Sequence, residues 1–107
     1  MKTLKFMPNL VPLVLSGEKT STWRLFDDKD LKKEDELTLI NKETGNEFAK
    51  AIITKVEEKK LKDLEDSDFE GHEKYKDEED MLRHYRLYYG DKADLNTIVK
   101  MVNFKLI

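Results

Sequence analysis

Cysteine is absent from this 107-residue chain, which excludes a disulfide framework, a thiolate metal site and a cysteine nucleophile. Only His72 and His84 offer imidazole, so a zinc enzyme is not expected, and neither a metal nor a cofactor is implied. Long apolar runs are missing as well. The stretch Leu10 to Leu15 is too short for a signal-peptide core or a membrane span, so the reading is of a soluble, cytoplasmic protein with no membrane partner. An excess of basic charge is also lacking. The 23 acidic residues outnumber the 20 basic ones and the net charge is −3, which argues against holding duplex DNA or long RNA mainly by neutralising phosphates.

What is present is charge of both signs, 40% of the chain, fitting a well-solvated surface. The length fits one domain spanning residues 1–107 with a core large enough to need no staples. Charge is unevenly spread: residues 1–62 carry 13 basic and 11 acidic side chains, residues 63–96 carry 5 and 12, and residues 97–107 carry 2 and none. An acidic insert therefore separates near-neutral or basic ends.

Hydropathy and turn signals predict an ordered series of elements. Leu4 to Met7 forms a short strand. Pro8-Asn9 opens a helix through Ser16 with Asn9 as N-cap and Pro12 in the first turn, where its missing N–H does no harm. Apolar side chains surround most of that helix, which predicts burial, and Gly17 suits the left-handed position after it. Lys19 to Leu25 reads as a strand, and Phe26 to Asp35 as a charged surface connection. Glu36 to Asn41 and Glu47 to Val56 form a hairpin around the loop Lys42 to Asn46. Lys59 to Asp66 has the spacing of a short helix. Asp77 to Tyr89 is a longer one, begun by Asp77 and stopped by Gly90, with Met81, Leu82, Tyr85, Tyr88 and Tyr89 on one stripe. Thr97 to Ile107 is the last strand, placing Ile98, Val102, Phe104 and Leu106 on one face. Neither an alternating βαβ chain nor a helix bundle fits this order. It predicts an α+β fold, a small partly open β-barrel with flanking helices, because closure leaves few unpaired sheet edges.

The densest chemistry lies in Gly17-Glu18-Lys19-Thr20-Ser21-Thr22-Trp23-Arg24. A lysine desolvated at the end of a buried helix can act as a base toward a nearby hydroxyl. The carbonyl end of that helix favours the ammonium and opposes this, and the residues alone leave both outcomes open. Strand alternation puts Lys19 and Thr22 on opposite faces, so their pairing requires Lys19 to sit in the turn or at a bulge. Elsewhere, Asp77-Glu78-Glu79-Asp80 reads as the acidic first turn of a helix. His84 reads as a surface residue without a role. Lys59, Lys60 and Lys62 form a basic cluster diluted by Glu57 and Glu58.

The pattern Gly17-x-Lys19-x-x-Thr22-x-Arg24 resembles the signature of ASCH domains, which belong to the PUA-like superfamily. The resemblance extends through the hairpin, the segment Asp68-Phe69-Glu70-Gly71-His72-Glu73, the helix ending Tyr88-Tyr89-Gly90 and the final strand. It implies a ligand cleft at the signature. Within that family it is similar to the small amidohydrolases that remove acetyl from N(4)-acetylcytidine, which implies Lys19, Thr22 and Glu73 as catalytic residues, with Glu70 as the alternative carboxylate. Gly17, Ser21, Trp23, Arg24, Glu70 and His72 are then the implied substrate contacts. Ser21, Arg24 or a backbone N–H would face the oxyanion, Trp23 or Tyr75 would stack on the pyrimidine, and His72 would touch a base or phosphate. The tyrosine-rich segment after Glu70 looks more like a distinct ASCH branch. Glu34-Asp35 stands where many members have a glycine–aspartate turn, which implies a turn of different shape. The alternative reading keeps the cleft and drops the chemistry, making it a binding module for a nucleotide or single-stranded RNA.

Overall fold

The computed structural model describes residues 2–26, 29–69, 72 and 74–107. Among the described residues, five strands and two α-helices follow one another as β1 (Lys2–Phe6), α1 (Val11–Ser16), β2 (Ser21–Leu25), β3 (Glu36–Asn41), β4 (Glu47–Lys60), α2 (Glu78–Tyr89) and β5 (Ile98–Leu106), with 3-10 turns between some of them. The strands form one mixed sheet in the order β1-β3-β4-β5-β2. β1 pairs parallel with β3, and every other pairing is antiparallel.

The sheet curls because its central strand bends. β4 pairs with β3 from Glu47 to Ile52 and with β5 from Ala51 to Lys60, and its register slips opposite Leu39/Ile40 and again between Ile53 and Lys55. Each slip adds one residue on β4 and increases the local twist, which turns a flat ribbon into a half-barrel. The curl brings the two edge strands, β1 and β2, within side-chain reach. Arg24 Nη2 of β2 donates to the Lys5 carbonyl of β1 at 2.9 Å, and its guanidinium lies 5.4 Å from the Phe6 ring centroid.

Both faces of the curled sheet are covered. The inside holds Leu4, Phe6, Val14, Leu31, Leu37, Leu39, Ala51, Ile53, Val102 and Phe104. On the outside, Trp23, Leu25, Val99 and Met101 pack against Met81 and Tyr85 of α2. Each fully buried Leu, Val or Phe contributes about 1.5–3 kcal/mol by leaving water. The α+β fold with a small barrel and flanking helices is thus present as read from the sequence.

Several local expectations are corrected. Asn9 is not an N-cap: Pro8–Leu10 forms a 3-10 turn, and α1 starts after Leu10 without a side-chain cap. Only Val14 of α1 is fully buried, and Leu15 is exposed. Within the connection after β2, Leu31 enters the inner core rather than lying on the surface. β4 runs on to Lys60, and two 3-10 turns, Leu61–Asp63 and Asp66–Phe69, replace the short helix. In β5, Ile98 and Leu106 are exposed, and Val99 and Met101 are buried beside Val102 and Phe104. A strand covered on both faces loses the alternation that a one-sided strand displays.

Glu34 explains the missing glycine. Its φ is 75°, in the left-handed region, so the turn keeps the shape a glycine would give it, with a side chain that opposes it. The turn is pinned: Glu34 N–H donates to the Ile53 carbonyl at 2.7 Å, and the Asp35 carboxylate accepts from Lys32 N–H at 2.9 Å and from the Lys2 ammonium at 2.7 Å. Glu34→Gly is therefore expected to raise stability by about 0.5–1 kcal/mol, measured by urea unfolding. An unchanged or lowered midpoint would contradict the conformational account.

Candidate functional site

α1 ends in Gly17 at φ 84°, whose N–H donates to the Val14 carbonyl. Two residues later Lys19 N–H donates to the Leu13 carbonyl at 3.0 Å. These bonds satisfy carbonyls left over at the helix end and hold Lys19 in the return loop, before β2 begins at Ser21. Strand alternation therefore does not govern Lys19. Lys19 and Thr22 both line one cleft, and each is only 4% exposed.

That cleft, about 540 Å³, lies beside the converging edges of β1 and β2 and is walled on one side by α2. Arg24 lines it while spanning the two edges. Trp23 lines it too, with His72 stacked on the indole at 4.0 Å and 16°, and with Phe69 at 4.9 Å. Tyr75 continues the aromatic wall, 6.3 Å from His72, 5.3 Å from His84 and 6.0 Å from Tyr85. Trp23 Nε1 is buried and meets no hydrogen-bond acceptor among the described residues.

The implied site residues divide into four groups. Lys19, Thr22, Trp23, Arg24 and His72 come together in this cleft. Ser21 is buried on the opposite face of β2 and lines a second, smaller cleft of about 140 Å³ with Asn103, Ser67 and Asp68. Gly17 shapes the loop and is not part of the cleft wall. Glu70, Gly71 and Glu73 lie outside the described residues. Lys59, read as one of a basic cluster, is paired at 2.9 Å with Asp68, which lines the second cleft. Burial works to raise the Asp68 carboxyl, but the Glu65 N–H and the Lys59 ammonium outweigh it and hold it below its ordinary value.

Several cleft residues were not singled out in the sequence. His84, exposed as its reading as a surface residue expected, also lines the cleft from α2, its Nδ1 2.9 Å from the Asp80 carbonyl. Asp80 lines it as well. Its backbone N–H donates to the Asp77 carboxylate at 2.8 Å, and its own carboxylate accepts from Lys76 N–H at 3.1 Å and Arg83 Nη2 at 2.8 Å. The spacing Asp77-x-x-Asp80 was visible as a helix start, but only the packing of α2 across the sheet edges turns that end toward the cleft. Among the described residues, no group of His, Asp and Glu side chains is arranged to hold a metal ion.

No family model matches the sequence, and no curated protein is detectably similar to it. Solved structures are similar in three dimensions. The hypothetical protein PH0355 superimposes over all of both chains with a TM-score of 0.74 at 22% identity. The ASCH domain of Lactobacillus crispatus matches 92% of this chain and 70% of its own, with a TM-score of 0.71 at 15% identity. The fold is that of an ASCH domain. Protein EF3133 of Enterococcus faecalis shows the same likeness, with a TM-score of 0.74 at 20% identity over 92% of this chain and 70% of its own. Identities this low establish the ASCH fold and leave activity to be argued from the cleft.

Asp80 gives the cleft wall an acid-side pH response. The Lys76 N–H, followed by His84 and Arg83, holds its carboxyl below the ordinary value of 3.8 against the opposing effect of burial. A depressed carboxyl gives stability that is complete above the unfolded value and lost as pH falls through the folded one. Below about pH 4 the bond from Lys76 N–H to the Asp80 carboxylate is expected to loosen, seen as faster amide exchange at Lys76. Asp80→Asn is expected to remove that acid dependence, and an unchanged acid response in the variant would contradict the assignment.

Proposed function

We propose that this ASCH-fold protein is a metal-independent amidohydrolase acting on a modified nucleoside such as N(4)-acetylcytidine. The observation that carries the reading is the burial of a lysine and a threonine, Lys19 and Thr22, in the wall of one cleft. A buried lysine is rare, and here it shares the cleft with a hydroxyl that can serve as nucleophile. The volume suits a nucleoside-sized ligand.

The chemistry runs in two halves. In its amine form Lys19 takes the Thr22 hydroxyl proton as Thr22 Oγ bonds to the acetyl carbon, and the carbonyl electrons move onto oxygen. Collapse breaks the bond to the exocyclic nitrogen, which receives the proton from Lys19 and leaves as the free amine. A water molecule, losing a proton to Lys19, then attacks the acetyl-threonine, releasing acetate and restoring Thr22. Arg24 or a backbone N–H stabilises the transient oxyanion. Ser21 is not available for that role, since it lines the second cleft. The resemblance gives Glu73 the task of orienting Lys19 or of relaying the proton to the leaving amine. Asp80 is a poor substitute, since its carboxylate is already engaged by Lys76 N–H and Arg83.

A second reading, a nucleotide- or RNA-binding module without chemistry, is favoured by the aromatic lining. Tyr75 and the 58%-exposed Tyr88 present rings to the cleft, the kind of surface on which unpaired bases stack. Hydrolysis of N(4)-acetylcytidine by the purified protein separates the two. Lys19→Ala and Thr22→Ala are each expected to lower turnover by about 10²–10⁴-fold, with Glu73→Ala also impaired. Turnover that is absent, or indifferent to these substitutions, would sink the amidohydrolase and leave the binding module.

A further inference from the structure

The cleft is basic in a chain that is acidic overall. Lys5 of β1, Lys42 of the β3–β4 turn and Lys74 of the segment before α2 all line it, and all are exposed. These residues are far apart in sequence, so no local charge run accounts for their convergence. Folding places them there: Lys42 N–H donates to the Phe6 carbonyl at 2.8 Å, clasping the hairpin turn onto the end of β1, one residue from Lys5.

Among the described residues no carboxylate answers their charges. Among the described residues the ion pairs join Lys2 to Asp35, Lys32 to Asp30, Lys55 to Glu57, Lys59 to Asp68 and Arg83 to Asp80, with His84 beside Asp80. Lys5, Lys42 and Lys74 stand in none of these. Asp80 is the one carboxylate among the described residues of the lining, and Arg83 and the helix start already engage it. Like charges gathered round one mouth repel each other and concentrate a positive field in a low-dielectric groove. Such an arrangement is complementary to an anion, and a neutral nucleoside has none to offer.

We propose that the ligand of this cleft carries a phosphate and that Lys5, Lys42 and Lys74 select it. The inference builds on the nucleoside-binding reading and specifies its substrate: a nucleotide unit, free or within a strand, in preference to the bare nucleoside. Base recognition and any chemistry lie deeper, at Trp23, Lys19 and Thr22, and the lysines at the mouth hold the phosphate in partial contact with solvent. Attraction of that kind is strong at low ionic strength and weakens as salt rises.

Calorimetric titration of the intact protein with cytidine and with cytidine 5′-monophosphate tests this, at low and at high salt. The monophosphate is expected to bind at least about tenfold more tightly at low salt, and the advantage to shrink as the Debye length shortens. A variant carrying Lys5→Gln, Lys42→Gln and Lys74→Gln, substitutions at exposed positions that circular dichroism should find folded, is expected to lose the advantage while binding cytidine as before. Equal affinity for the two ligands, an advantage retained by the triple variant, or binding of neither ligand would overturn the proposal. A short oligocytidine is the third arm: tighter, lysine-dependent binding than the monophosphate assigns the phosphate to a strand, and equal binding assigns it to a free nucleotide. Because binding is read here, failure to hydrolyse N(4)-acetylcytidine would remove the amidohydrolase reading and leave this result standing.

Discussion

One guanidinium holds the two ends of the sheet in register with each other. β1 and β2 are the edge strands, and among the described residues no further strand pairs with the outer side of either. Exposed edges cost a protein unsatisfied donors and acceptors and invite pairing with other chains. Here the sheet curls far enough for Arg24 to bond the Lys5 carbonyl across the gap, and the Leu25 N–H on the same edge donates to the Tyr89 hydroxyl at the end of α2 at 3.3 Å. A full barrel would have paired β1 with β2 and buried Lys19 and Thr22 with no way in. The half-barrel leaves a gap, and side chains rather than backbone ladders line it.

The same economy shapes the chemistry. Gly17 ends α1 and throws the chain back so that Lys19 lies outside the strand, where the pleat does not dictate its direction. Thr22 follows in β2 opposite Val102, on the inner face, while Trp23 opposite Met101 belongs to the outer layer under α2. Three neighbouring residues of one segment thus reach the cleft by different routes. Its aromatic wall includes His72 stacked on Trp23, which gives a polarizable surface beside a charged rim.

Local signals in the sequence carried much of this. Gly17 and Gly90 mark helix ends because both adopt positive φ, and Asp77 caps α2 with its own carboxylate. The hairpin was legible from Lys42 to Asn46, where Gly45 again takes positive φ. The signature from Gly17 to Arg24 pointed to the cleft and to the ASCH fold that the solved structures share. What stayed hidden depends on contacts distant in sequence. Nothing near Lys5, Lys42 or Lys74 announces that they meet, nor that Leu31 turns inward or that Asp80 and His84 face the cleft. Glu34 is a harder case, because a residue type that disfavours left-handed backbone occupies a left-handed turn, and only the pairing with Ile53 reveals why it tolerates it.

The central claim is that the gap between β1 and β2 is where this protein meets its ligand. The most direct measurement is a nuclear magnetic resonance titration with cytidine 5′-monophosphate, following backbone amides and the indole N–H of Trp23. The account predicts that perturbations gather at Lys5, Lys42, Lys74, Lys19, Thr22 and the Trp23 indole. Perturbations gathered instead at Lys55, Ser67 and Asn103 around the second cleft, or spread without focus over the surface, would contradict it.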